Sequence, residues 1–428
     1  MEALTPAGFL AIIMWCALIA FAVFGGADFG AGFWDVLAKG EDAERQRVAL
    51  IRAIGPIWEA NEIWLIFLLT GVWTGFPIVF STLMTALFVP LVLGLLGIVM
   101  RGASFAFYTH ARLSVRVGRS WGRSFSGASI ITPFFFGAAA AADASGNLHV
   151  DAAGNTHANL FNTWANPFGI ACGLLAISFC AVLAATFMTV EARRAGDHKL
   201  VMQFRARALI AGAVTAVIGT VAAWLGSLYA PYFFDGLTTR ALPLALAGVV
   251  IGALTGASLL LGFFLVARAL VSGMVALILG AWAIAQYPYL VVPDITITSG
   301  AAPHDVVVAV LIAAIVSSVL VFPSLFYMFR LFKAGKGETR GTSTEDFIHQ
   351  IAEEEHLAAL EQYPEVERKK EKSPVMRTVE QRAKSLLPGA AALGAIIVAS
   401  QLGKIVDAMQ RHGDHEDHKT PQRPASDP

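Results

Sequence analysis

Long apolar runs are the feature that most restricts how this chain can fold. Over the first three quarters of the sequence, runs of about 20 apolar residues follow one another, which is the length that crosses a bilayer as a helix. These runs are too long and alternate too weakly for the strands of a β-barrel. Only 14% of the residues are charged, against about 25% in a typical soluble domain. The sequence therefore predicts an all-α polytopic membrane protein.

The apolar runs and the charges between them predict the topology. Nine transmembrane helices are expected before residue 333, at 7–28, 54–79, 81–106, 124–143, 164–190, 206–230, 241–267, 270–291 and 304–331. Every loop that follows an odd-numbered span carries Lys or Arg, whereas residues 144–163 and 292–303 contain neither. Because basic loops stay on the cytoplasmic side of a membrane, this alternation places the N-terminus outside.

The last quarter of the chain has a different composition. Residues 333–385 are rich in charge and predict a cytoplasmic segment that is partly helical or disordered. The short apolar run 386–402 predicts either a tenth transmembrane helix or an interfacial helix. The tail 403–428 contains three histidines within seven residues, a pattern that can bind metal. A solvated, disordered tail is the favoured interpretation, since no cysteine accompanies these histidines.

Several classes of function are disfavoured by what the chain contains. The formal net charge is zero, which argues against a nucleic-acid partner. The three cysteines lie in apolar runs and are expected to be small core residues. Membrane haem proteins hold their haems with axial ligands inside helices, most often His, and no histidine lies in the middle of a predicted span. We therefore expect no haem and no metal held by this chain's own ligands, and find no phosphate loop or dinucleotide fingerprint.

Two carboxylates stand at the start of the second predicted span, within residues 55–65 (GPIWEANEIWL). On a helix, Glu59 and Glu62 are three residues apart and share a face. Ionisable groups at membrane depth are costly, and they usually serve a function. The alternative is a helix end among the lipid headgroups, where a carboxylate costs little.

Orientation brings two more charged residues to the same depth. The first span ends at Asp28 and the third ends at Arg101, both on the cytoplasmic side. Carboxylates that face an arginine in a low dielectric can pair with it and share protons. We therefore predict a cluster of proton-transfer candidates, Asp28, Glu59, Glu62 and Arg101, packed by Trp58, Asn61 and Trp64. A structural ion-pair network that joins three helices is the alternative, and one cluster can serve both roles.

The chain resembles subunit II of the cytochrome bd-type quinol oxidases, including the cyanide-insensitive branch. The resemblance rests on short motifs that occur in family order over residues 1 to about 333. They are GGADFGAG (25–32), GPIWEANEIWL (55–65), FVPL (88–91), RGASF (101–105), NPFG (166–169), YPY (287–289) and ITIT (295–298). The motif at 55–65 is the most specific of them.

This resemblance implies a function and an architecture. It implies that residues 1–332 form the transmembrane subunit II domain, folded as two four-helix bundles plus a peripheral helix, in a bacterial cytoplasmic (inner) membrane. The complex would oxidise quinol and reduce dioxygen to water. Haems b and d would belong to a haem-bearing subunit I, and this chain would carry no cofactor. A very small accessory subunit, a bound quinone and membrane lipid are further partners that the family suggests.

A carboxylate at the position of Glu59 is implicated by the resemblance in a proton route from the cytoplasm. The family often has Asp-Gly where this chain has Glu59-Ala60, which keeps the acid but lengthens its side chain. The resulting hypothesis is a haem-free scaffold and proton-access subunit of a quinol oxidase. A proton-coupled secondary transporter is the alternative, since membrane carboxylates and Gly-rich helix ends suit that class too. A purely structural assembly subunit is the third.

Overall fold

A computed structural model describes residues 2–40, 42–54, 58–110, 115–151 and 155–333. In this part of the chain the fold is almost entirely helical. The α-helices are α1 (Pro6–Val36), α2 (Ala43–Ile54), α3 (Trp58–Gly75), α4 (Pro77–Ala86), α5 (Phe88–His110), α6 (Val115–Ala144), α7 (Pro167–Arg194), α8 (His198–Tyr229), α9 (Pro231–Thr238), α10 (Leu242–Leu260), α11 (Phe264–Gln286) and α12 (His304–Lys333). The predictions for residues 334–385, 386–402 and 403–428 lie outside the described residues.

Short antiparallel hairpins complete the described structure. One pairs β1 (His149–Val150) with β2 (Thr156–His157), and the other pairs β3 (Tyr289–Val291) with β4 (Ile295–Thr296). The first hairpin lies within the loop 144–163, and the second begins at Tyr289 and extends into the loop 292–303; both loops lack Lys and Arg.

Local sequence signals set the starts of the long helices. Thr5, Asn166 and Asp197 cap α1, α7 and α8 by accepting hydrogen bonds from backbone N–H groups of the first turn. Pro6 and Pro167 follow the first two of these caps, at a position where the missing N–H has no helical partner. The cap at Asp197 starts α8 eight residues before the predicted span 206–230.

Seven of the described helices are long and apolar enough to cross a membrane. They are Pro6–Val36, Trp121–Ala144, Pro167–Arg194, His198–Tyr229, Leu242–Leu260, Phe264–Gln286 and His304–Val321. An eighth candidate is the pair Asn61–Gly75 and Pro77–Ala86, and Phe88–Ser104 is a shorter apolar helix. The prediction of a polytopic helical membrane protein is confirmed, while the count of nine spans remains a prediction.

The predicted second span, 54–79, is wrong as a single helix. α3 ends at Gly75, and α4 leaves it at an angle of 115°. The residue between them, Phe76, has φ −137° and ψ 63°. Pro77 causes this break, because its ring disfavours a helical conformation in the preceding residue and it has no N–H to continue the helix. The predicted third span, 81–106, accordingly divides between α4 and α5.

The boundary between the predicted spans 241–267 and 270–291 is also misplaced. α10 ends at Leu260 because Gly262 adopts a left-handed conformation with φ +81°. The N–H of Phe263 then donates to the carbonyl oxygen of Ser258 at 2.8 Å, and that of Gly262 donates to Leu259 at 3.3 Å. This pattern is the Schellman motif, which closes a helix at glycine. α11 therefore begins at Phe264, six residues before the prediction.

A polar clamp holds the connection between α1 and α3 against the start of α8. Arg45 of α2 binds Asp197 at 2.8 Å, and Lys199 binds Asp42 at 2.8 Å. Gln203 donates a second hydrogen bond to Asp42 at 3.0 Å. These contacts join residues about 160 positions apart in sequence at the end of the molecule where the basic loops meet.

Candidate functional site

Asp28 lies in the last third of α1, where glycines bring this helix against its neighbours. A Cβ atom on Gly30 would lie 1.8 Å from the carbonyl oxygen of Cys180 in α7, and one on Gly32 would lie 2.3 Å from Ser129 in α6. Because only hydrogen atoms fit at these two positions, α1 packs directly on the backbone of α7 at Gly30 and on the side chain of Ser129 at Gly32. The segment of α1 that carries Asp28 is therefore held between α6 and α7.

Asn61 is the hydrogen-bond donor to Asp28. Its Nδ2 atom donates to Oδ2 of Asp28, and it also lies 3.4 Å from the carbonyl oxygen of Phe24. Asp28 is 6% exposed and Asn61 is 4% exposed. A carboxylate so far from water requires such a donor, since an unpaired buried charge is strongly destabilising. The amide thus fixes the carboxylate between α1 and α3.

Arg101 of α5 lies beside both acids and is 2% exposed. Its Nη2 atom is 3.9 Å from Oδ2 of Asp28, and its Nη1 atom is 3.7 Å from Oε1 of Glu62. The guanidinium carbon lies 4.8 Å from the ring centroid of Phe29 and 5.2 Å from that of Phe125. Both distances are within the range of cation–π attraction. The cation is therefore held by two carboxylates and two aromatic faces.

Within the described residues, the cluster has two acids for one cation, and the arginine has N–H groups without an acceptor. Asp28 and Glu62 face a single cation, and Glu62 is the more exposed acid, with 20% of its side chain accessible against 9% for Asp28. The Nε and Nη2 atoms of Arg101 have no hydrogen-bond acceptor among the described residues. An arginine offers five N–H donors, so this one is under-bonded. Such a site has room to exchange protons and to accept a further hydrogen-bond partner.

The structure brings together three of the four predicted proton-transfer residues, Asp28, Glu62 and Arg101. Glu59 and Trp58 lie in the first turn of α3, but their side chains are outside the described part of the structure. Trp64 is partly buried and packs on an apolar cluster on the inner side of the site. The buried members of this cluster are Phe21, Phe29 and Cys180.

Two acidic groups that the sequence analysis did not single out have buried partners. Asp35 accepts a hydrogen bond from Ser126 of α6 and lies 3.5 Å from Arg47. The signal for Asp35 was its spacing of seven residues from Asp28, which gives the same face of α1. The predicted end of the first span at residue 28 hid that signal.

The second such group is Asp143, at the opposite end of α6. It accepts a hydrogen bond from Gln286 of α11 at 2.5 Å, and Trp282 donates to the same Gln286 at 2.6 Å. This contact ties α6 to α11. No sequence spacing could have paired these residues, because 143 positions separate Asp143 from Gln286.

Metal-binding side chains do not cluster in the described part of the chain. No group of three His, Cys, Asp or Glu side chains among them could hold a metal. His149 and His157 lie in the first hairpin, while His198 and His304 are the first residues of α8 and α12. None of these histidines is inside a membrane helix, where an axial ligand would be needed.

An apolar groove runs between α1, α3 and α12 and includes Trp64 in its lining. Its volume is about 720 Å³. The lining includes Ile13, Phe67 and Ile315, with Ser318 and Cys16 as the polar atoms. Trp64 lines this groove and also packs on the apolar cluster beside the charged site.

Comparisons with known proteins match the resemblance. The family model for cytochrome bd terminal oxidase subunit II matches residues 7–332. Cytochrome bd ubiquinol oxidase subunit 2 of Bacillus subtilis is 28% identical over 243 residues, which are 55% of this chain and 69% of that protein. Cytochrome bd-I ubiquinol oxidase subunit 2 of Escherichia coli strain K12 is 26% identical over 230 residues, 52% of this chain and 56% of that protein.

A solved structure shows the same fold. The bd oxidase of Geobacillus thermodenitrificans contains a chain that superimposes with a TM-score of 0.62 at 22% identity. The superposition covers 77% of this chain and 99% of the other. The charged cluster lies entirely within the residues that the family model matches.

Proposed function

The chain belongs to the cytochrome bd terminal oxidase subunit II family, and from that premise we propose that it is the haem-free subunit of a quinol oxidase that gives protons access from the cytoplasm. The complex would oxidise two quinols to quinones and reduce one dioxygen to two waters, taking up four protons for the waters. The observation that carries this proposal is the buried cluster of Asp28, Asn61, Glu62 and Arg101.

The cluster supports proton transfer more strongly than simple bracing. A network that only joins helices needs matched charges, whereas two acids here face one cation within the described residues. Glu62 combines partial exposure with contact to Arg101, so it can exchange a proton with water and pass it to the buried acid. Glu59, one turn earlier on α3, is the proposed entry on the cytoplasmic side.

The location and partners of the chain follow from the same premise. We place it in a bacterial cytoplasmic (inner) membrane with its N-terminus outside, because the basic loops then face the cytoplasm. Nine spans in two four-helix bundles plus a peripheral helix are the proposed arrangement. The partner is a haem-bearing subunit I with haems b and d. A very small accessory subunit and bound lipid or quinone complete the proposed assembly.

The substrate class is quinol, since the relatives from Bacillus subtilis and Escherichia coli are named as ubiquinol oxidase subunits. The family match gives no support to the alternative of a proton-coupled secondary transporter. The absorption spectrum and subunit composition of the purified native complex separate the two. Haem bands with a second subunit are expected, and a colourless single chain that exchanges protons for solute would contradict the oxidase.

The proton role is tested by replacing Glu62 and, separately, Glu59 with Gln in the assembled complex. We expect quinol oxidase turnover to fall at least tenfold in each variant. A positioned acid or base typically accelerates a reaction by about 10²–10⁴, so losing one should slow turnover clearly. Haem content should stay unchanged. Glu191→Gln is the matched control, because Glu191 is also at a helix end and pairs with Arg268 at 3.0 Å.

The outcomes of this test separate the hypotheses. Wild-type turnover in both glutamine variants would exclude an essential proton-transfer role for these acids. Loss of haem together with loss of assembly would instead favour a structural ion-pair network and the role of an assembly subunit.

A further inference from the structure

A polar stripe follows one face of α1 from the charged cluster towards the helix end. Asp28, Gly32 and Asp35 are spaced by four and three residues, so they lie above one another on the same face. At about 1.5 Å of rise per residue, Asp28 and Asp35 are roughly 10 Å apart along the axis. Asp28 is buried, whereas Asp35 keeps 20% of its side chain exposed. The stripe thus joins the surface to the buried site.

Buried hydroxyl groups of α6 face this stripe. Ser126 is 2% exposed and donates to Asp35 or to the carbonyl oxygen of Gly122, which lies 2.9 Å away. Its single proton can go to only one of these acceptors, so the hydroxyl can change its direction of donation. Ser129 is 1% exposed, donates to the carbonyl oxygen of Phe125 at 2.8 Å, and lies against Gly32, midway between the two acids. Like Ser126, it can turn its single proton from this carbonyl to another acceptor.

At the inner end of the stripe, a buried arginine has N–H groups that lack a hydrogen-bond acceptor among the described residues. Arg101 lies against Asp28 and over the ring of Phe125, which is next to Ser126 in α6. Among the described residues, its Nε and Nη2 atoms find no hydrogen-bond acceptor. A fully buried cation with free N–H groups provides a place for an acceptor such as water at the end of the stripe.

We propose that Asp35, Ser126 and Ser129 form a second entry for protons, which leads from the cytoplasmic end of α1 to Asp28. This inference rests on the proposed function of the cluster. A proton from the aqueous phase binds the Asp35 carboxylate and moves to the Ser126 hydroxyl, which releases its own proton inward. Ser129 repeats this exchange, and the Asp28 carboxylate receives the final proton.

The geometry explains why each group is needed. Gly32 and Ser129 are in contact, so the helices leave no continuous gap between the acids, and the Ser129 hydroxyl is the polar atom at the narrowing. About one helical turn separates Gly32 from each acid, a distance that one bridging water covers. Arg47, 3.5 Å from Asp35, lies beside the outer carboxylate at the start of the stripe.

The test uses the purified complex with its haem-bearing partner. Asp35→Asn should slow quinol oxidase turnover at least tenfold and increase the solvent deuterium isotope effect, with haem content unchanged. Asp35→Glu should restore turnover, because the acid is retained. Glu191→Gln serves as the control for loss of a carboxylate at a helix end. A merely structural role would change haem content and assembly without changing the isotope effect.

A second variant covers the case in which Asp35→Asn fails to assemble. Ser126→Ala with Ser129→Ala removes two hydroxyls and little volume, and it should slow turnover several-fold with a larger isotope effect. Ser178→Ala is its control, since Ser178 is a buried hydroxyl of α7 that, like Ser129, donates within its own helix at 2.8 Å, but it lies outside the proposed route.

The outcomes distinguish this inference from the proposed function. Wild-type turnover in the serine double variant would overturn the second entry. If turnover of the Glu62→Gln variant were slow at the same time, the proposed function of the charged cluster would stand without the second entry. Wild-type turnover in the Asp35, Glu59 and Glu62 variants together would overturn both.

Discussion

Replacing Arg101 with Met is expected to destabilise the assembled complex severely. The substitution keeps a long side chain but removes the buried cation between Asp28 at 3.9 Å and Glu62 at 3.7 Å. A charge pair at about 4 Å interacts by about 4 kcal/mol at an effective dielectric near 20. Glu62 is partly exposed, so solvent weakens its share.

The net cost follows from what the substitution leaves behind. Removing one partner from a buried ion pair typically costs about 3–5 kcal/mol, because the remaining charge stays buried without compensation. This corresponds to roughly two to four powers of ten in the ratio of folded to unfolded protein. The stability of the Arg101→Lys variant should lie between those of Arg101→Met and the wild type. Lys keeps the charge but loses the planar group that stacks on Phe29 and Phe125.

The assay is the yield and thermal midpoint of the purified complex, with haem content as the measure of assembly. The matched control is the triple variant in which Arg101→Met is combined with Asp28→Asn and Glu62→Gln. It removes all three charges and should recover most of the lost stability, because neutral replacement of a buried ionic group is often tolerated. Wild-type yield and midpoint in the single variant, or no recovery in the triple variant, would refute the reasoning.

Two further predictions concern packing and surface charge. Gly30→Ala places a Cβ atom 1.8 Å from the carbonyl oxygen of Cys180, so α1 must move away from α7. The free energy of unfolding should fall by an overpacking cost of about 1–3 kcal/mol or more, and the thermal midpoint should fall with it. Gly127→Ala, whose Cβ atom would have no neighbour within 4 Å, should leave the midpoint unchanged or raise it, and equal effects of the two substitutions would contradict the packing argument. A hydrogen bond from Lys199 lowers the pKa of the Asp42 carboxyl group, so the stability from this contact is complete above the unfolded pKa of about 3.9 and is lost as the pH falls through the lower folded value. Lys199→Ala should therefore lower the midpoint at pH 7 and have less effect once the pH is below about 4, whereas a decline that begins near pH 6 would contradict this assignment.

The membrane fold could be predicted because its signals are local. A run of about 20 apolar residues must form a helix in lipid, since every backbone N–H and C=O group needs an internal partner there. Caps such as Asn166 and Asp197 mark helix starts within a few residues of sequence. The errors arose where one residue overrides the apolar pattern. Pro77 divides α3 from α4, and Gly262 ends α10 early.

The candidate site was predictable in its members but not in its contacts. Charged residues inside apolar helices are costly wherever they occur, so Asp28, Glu62 and Arg101 could be identified one by one. Their separations of 3.7–3.9 Å, and the donation from Asn61 to Asp28, depend on how α1, α3 and α5 pack. That packing depends in turn on close contacts such as the one at Gly30, for which the sequence shows a glycine but no partner.

The sequence by itself determined that the chain enters a membrane as helices and which family it resembles, and it predicted which charges lie at membrane depth. These properties follow from hydrophobicity and short motifs, which act over one helix or less. Only the tertiary structure decided that one buried arginine faces two acids and that Asp35 and Gly32 of α1 lie against Ser126 and Ser129 of α6. Such contacts join residues 30 to 100 positions apart, and they exist only when neighbouring helices touch.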